Sequence, residues 1–159
     1  MHTSEDKVLR DQLIKHLEGG EAFIPLDHLL DKIAFDDLGK IPEGLPYSFY
    51  QQFYHIWLAQ NDILEFTRHS NYQPLEWPKD YWPEAKAPKD EKEWQNLVQR
   101  YFEDRQQLCG YISDSRNELF VPFTHGEEQT LFREAMLVVE HTAYHTGQLL
   151  VILRLLGLH

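Results

Sequence analysis

The sequence predicts an all-α protein: an up-down four-helix bundle, with a short extra helix and a long loop after the second bundle helix. Three observations predict it. Apolar residues recur at three- and four-residue spacing in four long stretches. No stretch shows the strict alternation of a half-buried strand. The helical stretches are separated by connections rich in proline or glycine. A chain of 159 residues, 42% of them hydrophobic, suffices for one core, so a single domain over residues 1–159 is expected.

The first helix is expected from near Thr3, where Thr3 and Asp6 have capping-box spacing, through Leu9, Leu13 and Leu17 to Gly19-Gly20. A shorter helix follows Pro25 and carries Leu26, Leu29, Leu30 and Ile33. The stretch GKIPEGLPYS then reads as an ordered loop. Ser48 and Gln51 form a second capping box and open a helix that runs to about His69. The segment Asn71–Ala87 is long for a connection inside a compact domain. Its Trp77, Tyr81 and Trp82 predict that it folds against the bundle. A third long helix starts at Asp90 with Trp94, Leu97, Tyr101, Leu108 and Ile112 on one stripe. The last runs from near Thr130 to Leu156, with Gly157 as its stop.

Composition narrows the function. The net charge is −11, the wrong sign for gripping phosphate backbones or anionic membranes, so neither nucleic acid nor membrane is an expected partner. The one cysteine, Cys109, has no internal disulfide partner and reads as a small helix hydrophobe. The N-terminus lacks the pattern of a secretory signal, and the apolar LLVILRLLG is too short to span a bilayer. The cytoplasm is the expected location.

The informative polar residues are those that interrupt apolar stripes. His141 and His145 are four residues apart on the last helix, so they share one face a turn apart. Burying imidazoles costs free energy unless their nitrogens find partners, and one metal ion satisfies several at once. His55 interrupts the second long helix on the stripe Gln52, His55, Ala59, Asp62 and Phe66, where small Ala59 leaves room beside it. Three neutral imidazoles from two facing helices form a coherent site for zinc, nickel or another first-row ion. The competing reading is three satisfied core or surface histidines.

The stretch FYHIWLAQNDILEFTRHSNYQPLEWPKDYWP, with the later HGEEQTLFREAMLVVEHTAYHTGQLLVILRLLG, resembles the DinB-like superfamily of DinB/YfiT-like metalloenzymes. The likeness runs from residues 19–20 to Gly157 and is most specific in the H-x-x-x-H-x-G-Q block of His141, His145, Gly147 and Gln148. The resemblance implies a four-helix bundle, often a homodimer, with His55, His141 and His145 as ligands of one divalent ion. The superfamily includes thiol-dependent S-transferases that use bacillithiol or mycothiol, and a maleylpyruvate isomerase branch. The ligands alone select none of these, so a metal-dependent hydrolase, an S-transferase taking a low-molecular-weight thiol and a non-catalytic metal-binding or small-molecule-binding bundle all stay open.

Two residues are catalytic candidates in supporting roles, with Asp62 preferred over Gln148 as a base because it can accept a proton. Asp62, seven positions from His55, either orients a ligand imidazole or a water at the open coordination position, or is an exposed carboxylate or loop cap. Gln148 either hydrogen-bonds substrate or ligand, or makes a polar contact between helices. Glu140 points about 100° away from His141 and is not counted as a ligand. His125 sits either at the mouth of the site or in an ordinary loop. Tyr144 and the loop tryptophans line either a pocket or the core. His2, His16, His28, His69 and His159 show no convergent spacing. The last helix and the Asn71–Ala87 loop are the candidate dimer surfaces.

Overall fold

Three of the four long helices begin where a side chain takes one of their first free N–H groups. In the computed structural model, which describes residues 4–159, α1 spans Ser4–Glu18, α2 Leu26–Leu30, α3 Phe49–Arg68, α4 Glu91–Ser113 and α5 Leu131–Leu155. Thr3, the expected cap of α1, lies outside the described residues. Ser48 forms both halves of its capping box with Gln51. Asp90 accepts the Glu93 N–H and Thr130 the Arg133 N–H. At the other end of α5, Gly157 takes the left-handed φ of 75°. That lets Leu158 N–H reach the Leu153 carbonyl and Gly157 N–H the Arg154 carbonyl, the paired bonds of a Schellman stop. Single 3-10 turns at Phe35–Asp37 and Lys79–Tyr81 were not expected from the sequence. No strand forms among the described residues, beyond one isolated bridge between Pro122 and Thr130.

The long helices form a ring in which α3 and α1 each pack between α4 and α5. Their directions follow from the contacts. Tyr50 meets Glu93, Trp57 meets Asp104 and Arg68 meets Gln107, so α3 and α4 run the same way. Tyr47, Gln52 and His55 meet Gln148, His145 and His141, so α5 runs against α3. Arg10 of α1 donates to carbonyls of Ile112 and Asp114 at the end of α4. The Gly20–Pro25 segment after α1 shares a cleft with Ala143 and Leu150, which puts α1 alongside α5. The bundle is therefore up-down-down-up, a refinement of the simple alternation that the sequence suggested. The long segment after α3 is the cause, since it carries the chain back along α3 before α4 begins.

Two apolar cores fill the ends of the bundle. One gathers Leu29, Phe49, Phe53, Ile56, Leu97, Leu149 and Ile152; the other gathers Leu13, Leu17, Leu64, Leu108, Ile112, Leu131 and Val138. Between them lies a polar layer. Arg105 is buried there with no ion pair among the described residues and donates to Gln60 Oε1, Tyr101 hydroxyl and Thr142 Oγ1. A buried charge needs hydrogen-bond partners, and neutral acceptors take three of the five guanidinium N–H groups here. The histidines interrupt the stripes of α3 and α5 at this same level. No described helix is long and apolar enough to cross a membrane.

Candidate metal centre

The antiparallel packing of α3 on α5 brings His55 opposite His141 and His145. His55 is 1% exposed and His145 8%, while His141 is half-buried. The ring centroids of His55 and His141 are 4.8 Å apart, those of His55 and His145 4.6 Å, and those of His141 and His145 4.3 Å. One ring nitrogen from each lies within 4.8 Å of the others, and His55 Nε2 is 3.0 Å from His141 Nε2. Two nitrogens bound tetrahedrally at about 2.0–2.1 Å sit about 3.3 Å apart, so this donor set fits one first-row ion with little movement.

The protonation of the rings suits that role. Burial holds all three imidazoles below the ordinary histidine value, His141 at about 4 and His145 at about 3, with the neighbouring imidazoles adding to the effect. His55 is lowered by burial, while its bond to Tyr81 acts the other way. Neutral rings at physiological pH offer lone pairs without first releasing protons. His55 Nδ1–H donates to the Tyr81 carbonyl at 3.1 Å, which fixes Nε2 as the nitrogen with the free lone pair. The indole of Trp82 lies flat on the His55 ring, 4.1 Å between centroids and 6° between planes.

Gln52 supports His145. Its amide nitrogen faces His145 Nδ1, and its Oε1 is buried with no partner among the described residues. Turning the amide by half a turn puts Oε1 on Nδ1–H, pairs the orphaned oxygen and leaves His145 Nε2 free for an ion. The chemistry of a ligating ring favours that orientation, with the amide nitrogen then taking the place of the unpaired oxygen.

A family model matches residues 11–159 under the description DinB family. The chain belongs to the DinB family. No match to it was found among curated proteins or among solved structures. The histidines of this DinB-family bundle are compatible with metal binding both by descent and by geometry.

The remaining residues singled out from sequence fall as follows. Asp62 does not touch the histidines. Its Oδ1 accepts the Tyr72 hydroxyl and its Oδ2 the Tyr81 hydroxyl, each at 2.5 Å. Gln148 Oε1 accepts the Tyr47 hydroxyl at 2.7 Å, and its side chain also reaches His145. It thus joins a helix-to-loop contact to the site. His125 Nε2 contacts the Phe66 carbonyl, which places it at the end of α3, away from the trio. Glu140 is exposed, in agreement with its exclusion. Tyr144 is 65% exposed, so it is not core, though its ring lies 4.8 Å from that of His145. Cys109 is half-buried on α4 and burial pushes its thiol pKa up.

Gln52, the Tyr81 carbonyl and Trp82 as a platform for His55 were not singled out by sequence reasoning. For Gln52 a signal existed: a polar residue three positions before His55 on the same stripe. The Tyr81 carbonyl has none, because any residue supplies a carbonyl there.

Proposed function

We propose that this protein holds one divalent ion, zinc or nickel, on His55, His141 and His145, and uses it as a metal-dependent hydrolase or a thiol-dependent S-transferase. One observation carries the reading. Three imidazoles converge, and among the described residues no further histidine, cysteine or carboxylate joins them. Three protein ligands are the set of catalytic sites, which keep a position for water or substrate, whereas structural zinc is closed by four. When bound, the ion supplies Lewis acidity, which polarises a carbonyl or activates a water or thiol nucleophile.

The chain's own residues perform the rest. The Tyr81 carbonyl and Gln52 set the tautomers of His55 and His145. Trp82 covers one face of His55 and keeps water from it. Gln148, tied to Tyr47 and beside His145, is the side chain best placed to offer a hydrogen bond to a group entering the site. The experiment is spectroscopic: load the protein with cobalt and titrate a small thiol. Expected is a sulfur-to-metal charge-transfer band that saturates. A spectrum unmoved by thiol and by pH shows a closed site, and the non-catalytic metal-binding bundle then replaces the enzyme.

A further inference from the structure

The segment between α3 and α4 is held to α3 at two places. Near α3's start, Ser48 Oγ donates to the Lys86 carbonyl at 2.5 Å and Gln51 reaches the Pro83 carbonyl. Near its other end, Asp62 takes both Tyr72 and Tyr81 hydroxyls. Between these anchors lie groups that touch His55 from outside the bundle, foremost the Tyr81 carbonyl and the Trp82 indole, with the Trp77 ring farther off at 6.2 Å. Tyr81 is thus used at both ends. Its hydroxyl is bound by Asp62, and its carbonyl binds His55 Nδ1–H. Because Asp62 and His55 stand on the same face of α3 about two turns apart, the tyrosine spans a fixed distance along a rigid helix. Burial and the bond to Asp62 push both tyrosine hydroxyls above their ordinary pKa, so they remain donors.

We propose that Asp62 is a positioning residue for His55, acting through Tyr81: by fixing the tyrosine it aims the Tyr81 carbonyl at Nδ1–H and so leaves His55 Nε2 unprotonated toward His141 and His145. Each oxygen of Asp62 is committed to a phenol, which assigns it to holding the segment rather than to taking a proton from a substrate. The value of this relay to the protein rests on the metal reading above, but its effect on His55 does not require an ion.

The test uses the metal-free chain labelled with nitrogen-15 at histidine, and reads which His55 nitrogen carries the proton. In the wild type, Nδ1 is protonated and Nε2 is not. Tyr81→Phe keeps the ring and the carbonyl and removes only the hydroxyl; it is expected to populate the other tautomer, and to weaken zinc binding about 10- to 100-fold in a chelator competition. Asp62→Ala is expected to do the same, with Asp62→Asn partly restoring the wild-type tautomer because it keeps one acceptor oxygen. Tyr72→Phe, whose backbone meets His69 but none of the three site histidines, is expected to leave the His55 tautomer unchanged. A tether with no hold on His55 moves none of these signals. If Tyr81→Phe and Asp62→Ala, both helical by circular dichroism, retain the wild-type tautomer and zinc affinity within about twofold, the relay is overturned while the metal reading stands. If the tautomer shifts as expected but the wild type binds no zinc, the relay stands and the metal reading falls.

Discussion

Gln52 and the histidines carry the sharpest expectations at the scale of single residues. Replacing Gln52 with Leu keeps a similar volume but removes the acceptor for His145 Nδ1–H, and such supporting partners typically contribute 10- to 100-fold in metal affinity. Zinc competition should show a loss of about that size for Gln52→Leu and a smaller one for Gln52→Glu, which retains a carbonyl-type acceptor. The depressed histidines also predict a pH dependence. His145 binds a proton at about 3 when folded and at its ordinary value of 6.5 when unfolded. The unfolded chain therefore holds more protons between those values, so this contribution to stability is fully present above 6.5 and is lost as pH falls toward 3. Thermal melts of the metal-free protein should fall in this window, and His145→Leu should show a shallower slope than wild type. An identical slope in both would remove His145 from the account. The ligand residues were legible because each is a polar interruption of an apolar stripe. Their supporting groups were less so, since one is a backbone carbonyl brought in from 26 positions away.

Helix starts and stops show where local chemistry suffices and where it does not. Ser48, Asp90, Thr130 and Gly157 mark the observed boundaries, because caps and left-handed stops act through neighbours within a few residues. The parallel course of α3 and α4 is another matter. Capping and periodicity are blind to direction, and the return path depends on contacts of Lys86, Pro83, Tyr72 and Tyr81 with α3 that no local pattern encodes. Ser48 belongs to both kinds of interaction, since its hydroxyl accepts the Gln51 N–H and donates to the Lys86 carbonyl. Losing an N-cap costs about 1 kcal/mol, and the second bond adds to that. Urea denaturation should therefore show Ser48→Ala destabilised by about 1–2 kcal/mol, more than Thr130→Ala, whose hydroxyl makes the cap bond alone among the described residues. Equal losses in the two variants would mean that the Lys86 bond contributes nothing.

Across the whole molecule, two apolar cores hold the ends of the bundle and leave a polar layer at mid-height, where a site is shielded from water yet reachable through half-buried His141. The outer face of α5 carries a further feature. Leu137, Tyr144, Val151 and Leu155 are exposed at spacings of seven, seven and four, which align them along one side of the helix. Exposed apolar side chains aligned in this way mark a contact surface, and a second copy of the chain is the partner proposed for it. Sedimentation at micromolar concentration should give a dimer that Val151→Glu converts to monomer; a wild-type monomer would remove the proposal. The central claim concerns the ion itself, and metal content tests it most directly. Protein purified without a polyhistidine tag, then exposed to zinc or nickel and desalted, should retain one equivalent per chain. His55→Ala, His141→Ala and His145→Ala should each retain almost none while keeping their helical circular dichroism. Retention of stoichiometric metal by any of these variants, or its absence from the wild type, would contradict a three-histidine centre.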